Sequence, residues 1–262
     1  MTISTILAKK PVRYTLITAI WLLAWQGASM LINEEILFVS PLSVVLTLFQ
    51  MAQTGEFWLS LVASVGRVLG GFAAGYALSF ALAVLAHRVA FFKDFISPII
   101  SIVKSTPVAS FIILALMWIG KDTVPIFISM LMVIPIVWSN TLAGLDNIDL
   151  QLVEMAKVYK MPFFKRTRLI YFPSIFSYML SASGSGLGLC WKAGIAAEVI
   201  CRSLHSIGNQ IWETKYYIQT DRMFAWTATV IVMSVVFDVI IKKISKVAFK
   251  YFATEGGQNE TE

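Results

Sequence analysis

Residues 149–173, DLQLVEMAKVYKMPFFKRTRLIYFP, form the longest charge-rich segment between apolar runs in this chain, with Lys157, Lys160, Lys165, Arg166 and Arg168 among them. Asp149 suits the N-cap of a helix whose apolar positions Leu152, Val153, Ala156 and Tyr159 recur at helical spacing. Pro162 suits the first turn of a second helix running through Lys165 and Arg168. Pro173 marks the entry into the next apolar run. The expectation is two short helices at an angle, projecting as one basic attachment loop.

On both sides of that loop the sequence is built for lipid. Of its residues 58% are hydrophobic and 14% charged, and the mean hydropathy is +0.76. A soluble domain has too much surface to solvate to reach such values. Uninterrupted apolar runs of roughly 20 residues point to helical spans. Six can be placed, at about 14–31, 57–85, 96–119, 124–142, 174–197 and 223–241. The fold class is therefore all-α integral membrane, one domain over 1–262, with the loop at about 146–173 and a disordered tail from about 254 to 262. Lys9, Lys10 and Arg13 ahead of the first span imitate a secretory signal, but a retained first helix is the better reading.

Charge orients the spans. Lys9, Lys10, Arg13, Arg88, Lys93, the five loop cations, Lys242, Lys243, Lys246 and Lys250 fall on one side, against Lys121, Arg202, Lys215 and Arg222 on the other. The positive-inside rule then places both termini and the 149–173 loop in the cytoplasm. The net charge of +6 belongs to these loops and gives no reason to expect nucleic acid.

Three cations, Arg67, Lys104 and Lys192, remain inside apolar runs. A charge in hydrocarbon is costly, so each is expected to face protein or water. Arg67 shares a face with Ser60, Ser64 and Gly71 and lies about 15 Å into the second span. Lys104 is about 12 Å in from the cytoplasmic side, and Lys192 roughly 27 Å along the fifth span. Lys192, alone or with Arg67, either attracts an anionic ligand or serves in structural pairing or as a snorkelling stem. The candidate pathway residues are Arg67, Lys104, Ser185, Gly188, Lys192 and Glu198.

Smaller features fill in the architecture. Ser40-Pro41 opens a short amphipathic helix on the outer side, ended by Thr54-Gly55. Gly66/Gly70 and Gly71/Gly75 are paired for close helix approach. Pro98 and Pro107 interrupt the third span. Gly184, Gly188 and Lys192 line one face of the fifth span. Cys190 and Cys201 sit about 16 Å apart along one helix, too far for a disulfide. No G-x-x-x-x-G-K-[ST] loop is present to hold ATP phosphates, and no metal spacing exists. His87 and His205 lie on opposite sides. Ser183-Gly184-Ser185-Gly186 has no base at its depth, so an intramembrane hydrolase is disfavoured.

The loop resembles the EAA loop of bacterial ABC-importer permeases, whose pattern has Glu-Ala-Ala, a Gly six residues after the Glu, and Ile-x-Leu-Pro ending nineteen after it. Glu154, Ala156, Ile170 and Pro173 match, while Met155, Lys160 and Phe172 replace Ala, Gly and Leu. If the glycine position needs a left-handed backbone, either Lys160 is strained there or the turn differs in this chain. Ser40-Pro41, Ser64-x-x-Arg67, 104–107 (KSTP), 118–120 (WIG) and the stretch from Trp191 to Glu198 are similar to the nitrate, taurine and aliphatic-sulfonate branch, some of whose members carry thiamine precursors.

The resemblance implies a transport subunit without enzymatic activity, paired with a second copy in the bacterial inner membrane. ATP-Mg would be hydrolysed on a cytoplasmic ATPase dimer, and an external solute-binding protein would deliver the ligand. The coupling residues would be Glu154, Ala156, Tyr159, Lys160, Met161 and Pro173. A stand-alone six-helix channel or secondary transporter is the alternative, but it has no need of such a loop.

Overall fold

The computed structural model describes residues 10–32, 34 and 36–257. Among them no strand occurs, and the helices follow the apolar runs. Helix α1 (Lys10–Ile32) leads to α2 (Pro41–Ala52), whose first turn is capped by Ser40 accepting from the Ser43 amide at 3.1 Å. Then come α3 (Gly55–Arg88), α4 (Ala90–Ser105), α5 (Val108–Trp118) and α6 (Val124–Asp146). Across the 149–173 loop run α7 (Leu150–Val158), the single turn α8 (Phe163–Arg166) and a wide π-helical turn (Thr167–Tyr171). Helices α9 (Phe172–Cys201), α10 (Ile207–Tyr216) and α11 (Thr220–Gly257) complete the order.

Helices α1, α3, α6 and α11 are long and apolar enough to cross a membrane, and α4 with α5 makes a fifth if the bent pair is one span. Helix α9, at 30 residues, has the length but carries Lys192, Glu198 and a run of serines and glycines.

Helix α6 is the axis of the bundle, with Ile128, Val133 and Val137 fully buried. Its two main neighbours are α3 and α9. Within lipid, helices associate through close packing and interhelical hydrogen bonds, which small residues permit. A Cβ on Gly71 would overlap the Ile126 carbonyl, and one on Gly75 the Met130 carbonyl and Val133. Gly66 and Gly70 are different: an added Cβ there meets nothing within 4 Å. Only one of the two expected glycine pairs therefore seats α3 on α6 within this chain. Helix α11 is held to α9 by Trp191, which is fully buried, donates its indole N–H to the Val230 carbonyl at 2.9 Å and meets the Phe237 ring at 5.1 Å.

The expected third span is not one helix. It breaks between α4 and α5 with a bend of 107°. Pro98 stays inside α4, and the break falls at Thr106, whose extended backbone (φ −81°, ψ 133°) is the conformation Pro107 imposes on the residue before it. Beyond the break, Ile112 and Ala115 of α5 join the core around Ile128. Helix α4 buries Ile100 against Trp138 and Leu142, exposes Phe91, Phe95, Ile99 and Ile102, and carries its polar residues on a third face.

The second loop helix also differs from expectation. Pro162 caps it from outside instead of occupying its first turn, and α8 continues through the π turn into α9. A proline clashes with the carbonyl four residues back. Widening the turn so that the Phe172 N–H reaches Thr167, five residues back, accommodates Pro173 in a continuous helix. At the other terminus, helix α11 extends to Gly257, into the tail expected from about 254, and residues 258–262 lie outside the described residues.

Candidate functional site

The 149–173 loop is built on a buried hinge. Asp149 caps α7 through its carboxylate, which accepts from the Gln151 amide at 2.8 Å. Ala156, 1% exposed, presses into a cluster of Leu145, Ile148, Ile170 and Ile175, with Val153 and Met161 packed around it. After Val158 the chain reverses: the Lys160 N–H reaches the Lys157 carbonyl at 3.0 Å and the Met161 N–H the Ala156 carbonyl at 2.9 Å. That is the Schellman closure, which needs a left-handed residue at its pivot. Lys160 supplies it at φ 48°. The backbone that a glycine would adopt freely is thus kept by a lysine, at a cost of about 1–2 kcal/mol.

With its inner face fixed, α7 presents the opposite one to solvent. Glu154 is exposed and makes no hydrogen bond or ion pair among the described residues. Val158, Tyr159 and, beyond the turn, Phe164 are also bare, Phe164 at 88% exposure. Pro173 lies exposed at the root of the loop. Large apolar side chains gathered at a polar end of a molecule mark a surface built to be covered. The loop is tied back to the bundle by Arg88, whose guanidinium lies 6.0 Å from the Phe163 ring centroid, and is braced internally by Arg166 between Phe163 and Tyr171. Nearby, Asp146 holds α3 and α4 to α6 through His87 at 3.0 Å and Lys93 at 3.5 Å.

At the far end of the bundle two of the pathway candidates meet. Arg67 on α3 contacts Glu198 on α9 at 3.3 Å, with side-chain exposures of 17% and 0%. Ser64 donates to the Glu198 carboxylate at 2.7 Å, and the Gly208 amide donates to the same oxygen at 3.3 Å. Arg67 also donates to the carbonyls of Leu204 at 2.6 Å and His205 at 3.4 Å. Ser64 in turn accepts from the Ile207 amide at 2.9 Å. The turn between α9 and α10 is thereby clasped onto α3. It passes through left-handed Arg202 and His205. Gly208 is required there because a Cβ would strike Glu198 and the Val199 amide. From α6's side, Asp122 accepts from the Leu204 amide at 2.6 Å and the Lys121 carbonyl accepts from Ser203 at 2.8 Å.

This arrangement separates the candidates into groups. Arg67 and Glu198 neutralise each other in the clasp. Lys192 and Ser185 lie on the exposed face of α9 with Gly188 between them, open to 4 Å. Ser185 bonds back to the Ser181 carbonyl at 3.0 Å. Lys104 lines a groove between α4 and α6. Ser64, Asp122, Ser203 and Gly208, which complete the clasp, carried no signal of their own in the sequence. Ser64 was visible only beside Arg67, on a shared small-residue face and in the Ser64-x-x-Arg67 motif.

Residues 68–247 match the family described as binding-protein-dependent transport system inner membrane component. The chain belongs to this family. The permease is similar to a protein named for aliphatic-sulfonate transport, SsuC of Bacillus subtilis (strain 168), with 23% identity over 90% of this chain and 86% of the relative. SsuC of Escherichia coli (strain K12) is 27% identical over 86% and 82%. The nitrate import permease protein NrtB of Synechocystis is 24% identical over 80% and 79%. These relatives place the permease in the nitrate and sulfonate branch of the ABC importers, as a multi-pass membrane subunit.

Proposed function

We propose that this permease is the membrane half of an ATP-driven importer in which residues 149–173 receive a cytoplasmic ATPase. The observation that carries the reading is α7 itself: an unpaired Glu154 beside bare Val158 and Tyr159, on a helix whose other face is fixed by buried Ala156. Force generated elsewhere must enter through a rigid element, and a short helix set in a partner's groove is one. Glu154 pairs with a cation of the ATPase, Tyr159 and Met161 flank the contact, Lys160 sets the bend, and Pro173 fixes the exit into α9. ATP-Mg is bound and hydrolysed on that partner, and this chain holds no cofactor.

Two copies of the chain enclose the pathway, with the basic segments around residues 9–13 and 242–250 in the cytoplasm. The exposed α9 face bearing Ser185, Gly188 and Lys192 turns toward the second copy. A separate binding protein delivers the solute at the end carrying α2 and α10. The names of the relatives support a small oxyanion of the sulfonate or nitrate kind as the solute, with a thiamine-precursor-like ligand as the alternative.

Co-purification with the cognate ATPase tests the coupling. Glu154→Lys is expected to insert normally and to lose the ATPase. Undiminished recovery of the ATPase with this variant would refute the assignment of the loop.

A further inference from the structure

Between α4 and α6, at the end of the bundle that carries the 149–173 loop, lies an open groove of about 420 Å³. Its α4 wall is the polar face of that helix: Lys93, Ser97, Ser101 and Lys104, at helical spacing. Its α6 wall includes Trp138, Ser139 and Asp146. The two ends of the groove differ in their bonding. At the Asp146 end charge is matched, since Lys93 and His87 both contact that carboxylate. Ser97 and Ser139 spend their hydroxyl protons on carbonyls of their own helices.

At the other end three donors are left. Lys104 makes no ion pair or hydrogen bond among the described residues, and Ser101 makes none either. Trp138 is only 5% exposed, and its indole N–H, which keeps some solvent contact, makes no hydrogen bond among them. Ammonium and indole groups can only donate. An ammonium, a hydroxyl and an indole without partners that line one groove, at a depth of about 10 Å from the end of α6 as counted from Ser139 to Asp146, suit an acceptor carrying negative charge.

We propose that the Lys104 end of this groove is an oxyanion site, in which the ammonium supplies the charge and the Ser101 hydroxyl and Trp138 indole supply directional donors. Asp146 lies about 16 Å away along α4, the distance from Lys93 to Lys104, and is already neutralised. Two sources offer the same chemistry. One is an anionic solute in transit, which rests on the transport reading above. The other is the phosphate of a phospholipid headgroup, for which basic pockets between membrane helices are suited.

The test uses the full chain in nanodiscs and needs no ATPase, so a failure of the coupling assignment leaves its outcome untouched. Sulfate is titrated against chloride at constant ionic strength in phosphatidylcholine discs, read by tryptophan fluorescence and melting temperature. Retention of phosphatidylglycerol is measured by native mass spectrometry. Lys104 is exposed, so Lys104→Gln is expected to fold. Saturable sulfate binding that weakens about tenfold in Lys104→Gln, persists in Lys104→Arg and is unchanged in Lys246→Gln establishes the site for a free oxyanion. No sulfate response, with phosphatidylglycerol retained by the wild type and lost in Lys104→Gln, assigns the same site to a headgroup. Absence of both responses, or responses indifferent to Lys104→Gln, overturns the proposal.

Discussion

The turn after α9 and the loop before it both interrupt long apolar helices with polar residues, and they treat charge in opposite ways. In the turn, Glu198 is fully buried and accepts from Ser64, Arg67 and Gly208 at once. In the loop, Glu154 stands in solvent with nothing opposite it, beside exposed Val158 and Tyr159. Each region also holds non-glycine residues in left-handed backbone: Arg202 and His205 in one, Lys160 in the other. The lesson is that the Arg67–Glu198 pair closes the fold, whereas the Glu154 carboxylate is left open for something outside the chain.

The largest way to break the contrast is at the clasp. Removing one member of a buried pair strands the other, at a cost of about 3–5 kcal/mol. Arg67→Ala and Glu198→Ala are each expected to lower the unfolding midpoint in detergent steeply. The double variant should lose much less than the sum, because no charge is left alone. Equal and additive losses would mean that the two side chains do not support each other.

Next in size is the glycine pair. Gly71→Ala forces α3 off the Ile126 carbonyl and should cost about 1–3 kcal/mol. Gly66→Ala enters open space and should leave the monomer's thermal stability unchanged or slightly raised. A large loss at Gly66 would show that its face is packed against something beyond this chain. Smaller still is the hinge of the loop: Lys160→Gly relieves a left-handed lysine and should stabilise by about 1 kcal/mol, read as a raised melting temperature.

Much of this was legible in the residues. The Asp149 cap, the Ser40-Pro41 helix start and the apolar runs are local signals, set by chemistry within four or five positions. Spacing from Glu154 to Pro173 carried the family, and the missing glycine at Lys160 pointed to strain that the backbone does contain. What could not be read is long-range. Glu198 lies 134 positions from Ser64 and 131 from Arg67, and no periodicity connects them. Placing Arg67 and Glu198 together among pathway candidates recognised both as unusual without revealing that each was the other's partner. An interruption of the third run was legible at its two prolines, but its size of 107° and its place were not: only packing decides that Pro107 bends the chain while Pro98 does not.

The division of labour between the two regions rests most directly on Glu154. One preparation, reconstituted with the ATPase and the binding protein, allows stability and coupling to be read together. Glu154→Lys is expected to shift the permease's stability by no more than about 0.5 kcal/mol, as for an exposed site, while abolishing the stimulation of ATP hydrolysis by loaded binding protein. Full stimulation by the variant, or a loss of stimulation matched by unfolding, would contradict the account.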